Sequence, residues 1–198
     1  MLPGRMTPLY QTLLADPKFH ERILDFDRDR AAVCRATGCP DCGGPLHVAN
    51  YLRKPRGWLI ALGEQHNLRF SFCCAVDGCR DRATPPSLRF LGRKVYLATI
   101  VTLISAMCNG LTEPRLCKLA EAIGVDRRTV ARWRSWWLAT FTATPLWRAR
   151  SAAFMPPVER DYLPASLLSR FLGDAGEQLA SFLSFLGLIT AGASMQTF

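Results

Sequence analysis

Apolar residues recur along this chain at helical spacing in several long stretches and alternate with polar ones in two short ones. The most regular stretch is residues 116–137, LCKLAEAIGVDRRTVARWRSWW. Leu116, Leu119, Ala120 and Ile123 fall at i, i+3, i+4 and i+7, one face of a short helix. Gly124 comes next, where a left-handed turn costs a residue without Cβ least. Asp126 is placed to cap a second helix. There Val130, Trp133 and Trp137 share one side, Arg128, Arg132 and Ser135 share the other, and Arg127 leads. Two short helices with an apolar back and a guanidinium front suit a helix-turn-helix that sets its second helix in a DNA major groove. The plainer alternative is an αα-hairpin whose arginines form a solvated face.

The same patterning divides the rest of the chain. Residues 1–36 read as a helical segment in which Phe19, Ile23, Phe26 and Val33 form a sparse stripe among alternating charges, a solvated helix without chemistry of its own. His20 lies beside that stripe and reads as a surface histidine. Residues 47–51 and 68–73 are candidate strands within a segment spanning 37–82. Residues 83–94, with Pro85-Pro86 and arginines among Leu88, Phe90 and Leu91, read as an extended basic arm in which Arg89 and Arg93 meet phosphates. A packed linker with solvated arginines is the rival there. Residues 93–108 carry a continuous apolar run from Val95 onward and predict a buried helix leading into the helix-turn-helix, the whole domain spanning 95–143. Residues 144–163 hold three prolines, with a fourth at 164, and read as a linker. From 164 to 198 the leucines and phenylalanines at 167, 168, 171, 172, 179, 182, 183 and 186 predict apolar helices. These would pack on the chain itself, the favoured outcome, or meet a second copy or a separate polypeptide.

Charge sharpens the picture. The chain carries a formal net charge of +9. Residues 50–94 hold nine basic and three acidic side chains, 113–150 hold eight and three, and 151–198 hold two and four. A basic middle points to a polyanion. Arginine dominates and is interleaved with structured patterns, whereas polybasic membrane segments are compact and lysine-rich, so nucleic acid is the expected partner and membrane is not. Residues 1–11 show no apolar signal core, and neither long apolar run reaches the roughly 20 residues a membrane span needs. The expected location is cytoplasmic, on the nucleoid.

Eight cysteines in such a compartment favour metal over disulfides. Cys39 and Cys42, in CPDCGG, have the spacing of two thiolate ligands on one turn. A redox CxxC would want a thioredoxin-like βαβ context, which is missing around it. The second pair is Cys74 and Cys79, four residues apart around Gly78. Adjacent residues on a strand point to opposite faces, so only one of Cys73 and Cys74 can face the metal, and the shorter gap favours Cys74. His47 could replace one thiol, but four are already available. Cys34, Cys108 and Cys117 sit in helical patterns as buried thiols. Two cysteine turns on β-hairpins describe a zinc ribbon with a closed, structural Zn²⁺.

A CPxC turn, a strand into a second cysteine turn, a Thr-Pro-containing basic arm, a hydrophobic helix and then LAxxxGVxxxTVxRW succeed one another over residues 39–137. This order resembles the front of certain insertion-sequence transposases, which carry a zinc ribbon and a helix-turn-helix before a nuclease domain. The resemblance implies Cys39, Cys42, Cys74 and Cys79 as zinc ligands. It also implies the helix from 127 to 136 as the DNA reader, with Arg127, Arg128, Thr129 and Arg132 facing the groove. The chain departs from that pattern in its longer second cysteine turn and in the stretch beyond Trp137. That stretch has 61 residues, with Glu159, Asp161, Asp174 and Glu177 as its acids and no readable strand series. Three carboxylates holding two metal ions are not legible there, and phosphoryl-transfer catalysis is not expected.

The sequence therefore predicts a mainly α protein with a small β zinc ribbon and a helix-turn-helix DNA-binding domain. It would be a non-enzymatic, transposon-associated accessory or DNA-recognition module, with DNA as its partner and a separate transposase polypeptide or a second copy as the alternative partners of its C-terminal helices. The rivals are a protein-interaction adaptor using the ribbon and C-terminal helices, and a transcriptional regulator.

Overall fold

In the computed structural model, residues 12–56, 60–91, 96–108, 114 and 125–190 are described. Their architecture is mainly helical with two small antiparallel sheets. The first expected helix of the helix-turn-helix, with Ala120 and Gly124, lies outside the described residues, as do Arg93 and Cys117.

Helix α1 (Pro17–Thr37) starts where Pro17 supplies a preset φ and the Asp16 carboxylate accepts from Lys18 N–H at 2.9 Å. It ends at Gly38, whose φ of +87° is left-handed. Its buried face is Phe19, His20, Ile23, Leu24, Asp27 and Ala31, stepping by four and three residues. This corrects the expected stripe. Phe26 and Val33 are exposed, while His20, expected at the surface, is buried with its Nε2 2.9 Å from the Leu14 carbonyl. The charged Asp27 holds the core position that hydrophobicity assigned to its neighbour.

Strands β1 (Leu46–Val48), β4 (Phe72–Cys74) and β5 (Arg82–Ala83) form one sheet, with Leu46 opposite Cys74 and Phe72 opposite Ala83. Strands β2 (Tyr51–Leu52) and β3 (Leu68–Arg69) form the other. Leu46, Phe72, Cys74 and Ala83 pack with Ala31 of α1 and Cys39 into a small core.

Residues 83–91, expected as an extended arm, instead run through the interior. From Pro85 to Leu91 every residue is buried, and Arg89 has no exposed surface. Its Nε donates to Asp27 Oδ2 at 2.8 Å. Its terminal nitrogens donate to the carbonyls of Gln65, His66 and Leu68 at 3.2, 2.8 and 2.8 Å. Asp27, 1 % exposed, also accepts from Ser87 Oγ at 2.5 Å and Leu88 N–H at 2.6 Å. The guanidinium lies 5.0 Å from the Phe90 ring centre and 5.4 Å from that of Phe70. Arg89 is thus a structural cation and is not available to phosphate.

The larger core is helical. Helix α2 (Ala98–Cys108) buries Ala98, Ile100, Val101, Leu103 and Ile104, with Thr99, Thr102 and Ser105 buried as well, so it is covered on all sides, as its uniformly apolar sequence predicts. Helix α3 (Arg127–Ser135) packs on it and continues through one π turn and a 3₁₀ turn to Ala143. Residues 144–163, expected as a linker, carry α4 (Pro145–Arg150) and bury Trp147 and Leu163 in the same core. Pro145 begins that helix at its first position, with Thr144 Oγ1 accepting from Trp147 N–H at 3.2 Å. Trp137, Phe141 and Trp147 form an aromatic chain with ring centres 5.1 Å apart at each step. Helices α5 (Ala165–Leu168) and α6 (Ala175–Gly187) supply Leu167, Leu168, Leu179, Phe182, Leu183 and Leu186 to this core. Their apolar face is filled from within the chain. Leu172, expected on that face, is 89 % exposed. Asp174 and Glu177 are used in a capping box at the start of α6.

Removing one partner of a buried pair strands the other charge, so Asp27→Asn should destabilise the protein by about 3–5 kcal/mol, read from the urea midpoint. Acid should act nearby. Burial holds His66 below its ordinary 6.5; the facing Glu21 opposes this, and Arg89 and His20 reinforce it. Burial likewise lowers His20 against its contact with Leu14. The unfolded chain therefore takes up these protons first as pH falls through 6.5. Stability present above that value is lost on acidification, and His66→Gln should shrink the fall measured by urea unfolding across that range.

Candidate metal centre and basic surface

Two turns bring four sulfurs together. In the first, Cys39 N–H donates to Gly44 O at 2.8 Å and Gly43 N–H returns to Cys39 O at 2.9 Å, closing the CPDCGG loop. Gly43 has a φ of +72°. At Gly44 a Cβ would lie 2.4 Å from Val76 Cγ2 and 3.2 Å from the Cys42 sulfur, so only glycine lets the turns approach. In the second, Cys74 ends β4, Val76 N–H points at its sulfur at 3.4 Å, and Gly78, at φ +90°, reverses the chain toward Cys79.

The ligand atoms of Cys39, Cys42, Cys74 and Cys79 all lie within 4.8 Å of one another. Cys39 and Cys79 are 3.7 Å apart and Cys42 and Cys74 3.4 Å. A disulfide needs about 2.05 Å. A tetrahedral ion with metal–sulfur bonds of about 2.3 Å sets its sulfurs about 3.8 Å apart, so the spacing fits a shared ion. The Cys42 N–H, against burial and helped by the Asp41 N–H, holds the Cys39 thiol below its ordinary 9.0. Cys79 stands above that value, because the crowding Cys42 sulfur and burial outweigh the Asp81 N–H that favours its thiolate. Four sulfurs this close cannot all ionise unaided, and a cation among them removes the conflict.

Cys73 is excluded by the pleat. It pairs with His47 on β1 and Arg82 on β5, and its sulfur approaches the Arg80 carbonyl at 3.6 Å, while Cys74 faces the cluster. His47 is exposed beside it and takes no part. Cys34 is half-buried against the small core, and burial raises its thiol.

The basic helix matches its sequence pattern closely. Asp126 Oδ1 accepts from Arg128 N–H at 2.8 Å as the N-cap of α3. Val125, Val130, Trp133 and Trp137 are buried, and Arg127, Arg128, Arg132 and Arg134 are exposed. Thr129 departs from expectation: it is buried, and its Oγ1 accepts from Arg132 at 2.8 Å, so it braces an arginine from behind. Arg134, passed over in the sequence, joins the outward set. Of the two arm residues, Arg89 is internal and Arg93 lies outside the described residues. Lys54 and Arg56, at the end of β2, are exposed cations that no sequence motif singled out.

No protein-family model matches the chain, and neither a curated protein nor a solved structure is found to match it. Among the described residues no helix is long and apolar enough to cross a membrane.

The cysteine geometry predicts about one metal ion per chain by elemental analysis of the purified protein. Cys74→Ser should lose the ion and Cys73→Ser should keep it. Equal loss from both would contradict the facing assigned by the pleat.

Proposed function

We propose that this chain is a zinc-containing DNA-binding protein of helix-turn-helix type, serving a mobile element as an accessory or DNA-recognition module without catalysis of its own. The observation that carries the reading is α3: an aspartate-capped helix, anchored by Val130 and Trp133, that turns Arg127, Arg128, Arg132 and Arg134 outward. Guanidinium groups on one exposed helical face suit guanine edges and phosphates in a major groove. Thr129 would act indirectly, by fixing the Arg132 side chain at 2.8 Å before DNA arrives. The net charge of +9 supports a polyanionic partner.

Zn²⁺ is the ion that four thiolates suit best, held by Cys39, Cys42, Cys74 and Cys79. With four protein ligands it has no open position, and its part is to fix the cysteine-bearing sheet as a zinc ribbon. A transcriptional regulator would share all of this chemistry. The adaptor reading draws on exposed Leu172 and Met155, next in sequence to the Phe171 and Phe154 rings that meet at 6.2 Å.

The deciding experiment is fluorescence anisotropy of the full chain with labelled duplex DNA across a series of salt concentrations. Affinity should fall linearly on a log–log plot as counterions compete. Arg128→Ala or Arg132→Ala should each cost about 1–3 kcal/mol and relax preference at one base position. Absence of salt-dependent DNA affinity in the wild type would hand the assignment to the adaptor.

A further inference from the structure

The sheet-borne basic segment and α3 are joined by a short strut. The Leu97 N–H donates to the Arg56 carbonyl at 3.2 Å, and Arg56 forms an isolated parallel bridge with Tyr96. The Tyr96 ring meets Trp133 edge-on, with centroids 5.0 Å apart. Trp133 is the buried anchor of α3, and the exposed Arg132 and Arg134 flank it in sequence. Only one backbone pairing and one ring contact therefore separate Arg56 from the basic helix. Arg53 keeps the segment in place from behind, with its guanidinium 5.2 Å from the Phe90 ring centre and its N–H donating to Asn67 O at 2.9 Å.

The chemistry of that segment is one-sided. Residues 45–63 contain no Asp or Glu, and Lys54 and Arg56 are exposed. Tyr51 and Leu52 on β2 are also exposed, at 42 % and 57 %. Apolar surface beside cations is costly facing water, but it matches a duplex backbone, where apolar deoxyribose lies between anionic phosphates.

From this arrangement we infer that Lys54 and Arg56 form the second half of a single interface. They would bind the sugar-phosphate backbone of the same DNA duplex that α3 reads, on the flank of the groove contact. This inference rests on the DNA-binding reading of α3 and extends it to the segment that follows the two-stranded sheet.

The test compares full-length wild type with Lys54→Gln/Arg56→Gln, using duplex DNA in anisotropy titrations over a salt series and in hydroxyl-radical footprinting. Both substitutions are on the surface, and unchanged thermal melting checks that the variant is folded. Losing two phosphate contacts should lower the log–log salt slope by about 1.8 and weaken binding on the order of tenfold for every sequence alike. Base preference should stay as in the wild type, and backbone protection should shorten on one side. A charge-matched control, Lys18→Gln/Arg160→Gln, should leave the footprint whole. If the wild type binds duplex with a salt slope but the Lys54/Arg56 variant keeps that slope and the full footprint, the inference is overturned and the α3 reading stands. An equal loss in the control would overturn it too, by reducing the effect to net charge. If the wild type does not bind duplex at all, both fall together.

Discussion

The Asp27–Arg89 pair is the constraint on which the rest of this molecule depends. Taking two charges out of water costs several kcal/mol per ion, so a pair 1 % and 0 % exposed persists only if its remaining hydrogen-bonding capacity is met. It is met here by Ser87, the Leu88 N–H and three backbone carbonyls. Together with the pair itself, those groups come from α1, from residues 65–68 and from residues 87–89, three parts of the chain that do not otherwise share a secondary-structure element. Burial pulls the Arg89 guanidinium below its ordinary value, and the Asp27 charge opposes that. A hydrophobic pair could fill the same space, but it could not specify which carbonyls the segment must face. What the charge pair contributes is position: the two-stranded sheet is held against α1 in one arrangement.

Around that node the two cores have different origins of stability. The helical core is built from aromatic and branched side chains on α2, α3, α4, α5 and α6, and needs no ion. The small core has Ala31, Leu46, Phe72 and Ala83 with two of the four clustered cysteines, which is little apolar volume to hold three short strands. A metal among the sulfurs would supply what such a core lacks, because an ion bound only by the folded form stabilises that form by its binding free energy.

What could be read from the sequence was whatever depends on short-range spacing. Cys39 with Cys42, and Cys74 with Cys79, announce two turns; strand alternation lets only one of Cys73 and Cys74 face the cluster, and the shorter gap to Cys79 selects Cys74. The Asp126 cap and the outward arginines of α3 come from one helical period. What escaped depends on partners far apart. Asp27 and Arg89 are 62 residues distant, and each taken alone reads as a solvated charge, which is why an internal strut passed for an arm. His20 was misplaced for a related reason: its polar edge is met by a carbonyl six residues away, leaving the ring free to pack. Prolines mislead between 144 and 164, because Pro145 and Pro164 sit at helix starts, where a missing N–H costs nothing.

Helix α1 runs for 21 residues, roughly 31 Å, and its two halves belong to different neighbourhoods. Phe19 and Ile23 are seated among the leucines of the large core, whereas Ala31 packs beside the cysteines. A single rod is therefore clamped at one end by packing and at the other by the cysteine cluster, whose grip, with an ion among the sulfurs, would track the availability of that ion. Stripping that ion would loosen the grip from Gly38 backwards while the end near Asp16 stayed held. Amide exchange along one continuous helix would then report metal occupancy as a gradient, steep when the sulfurs are empty and flat when they are filled.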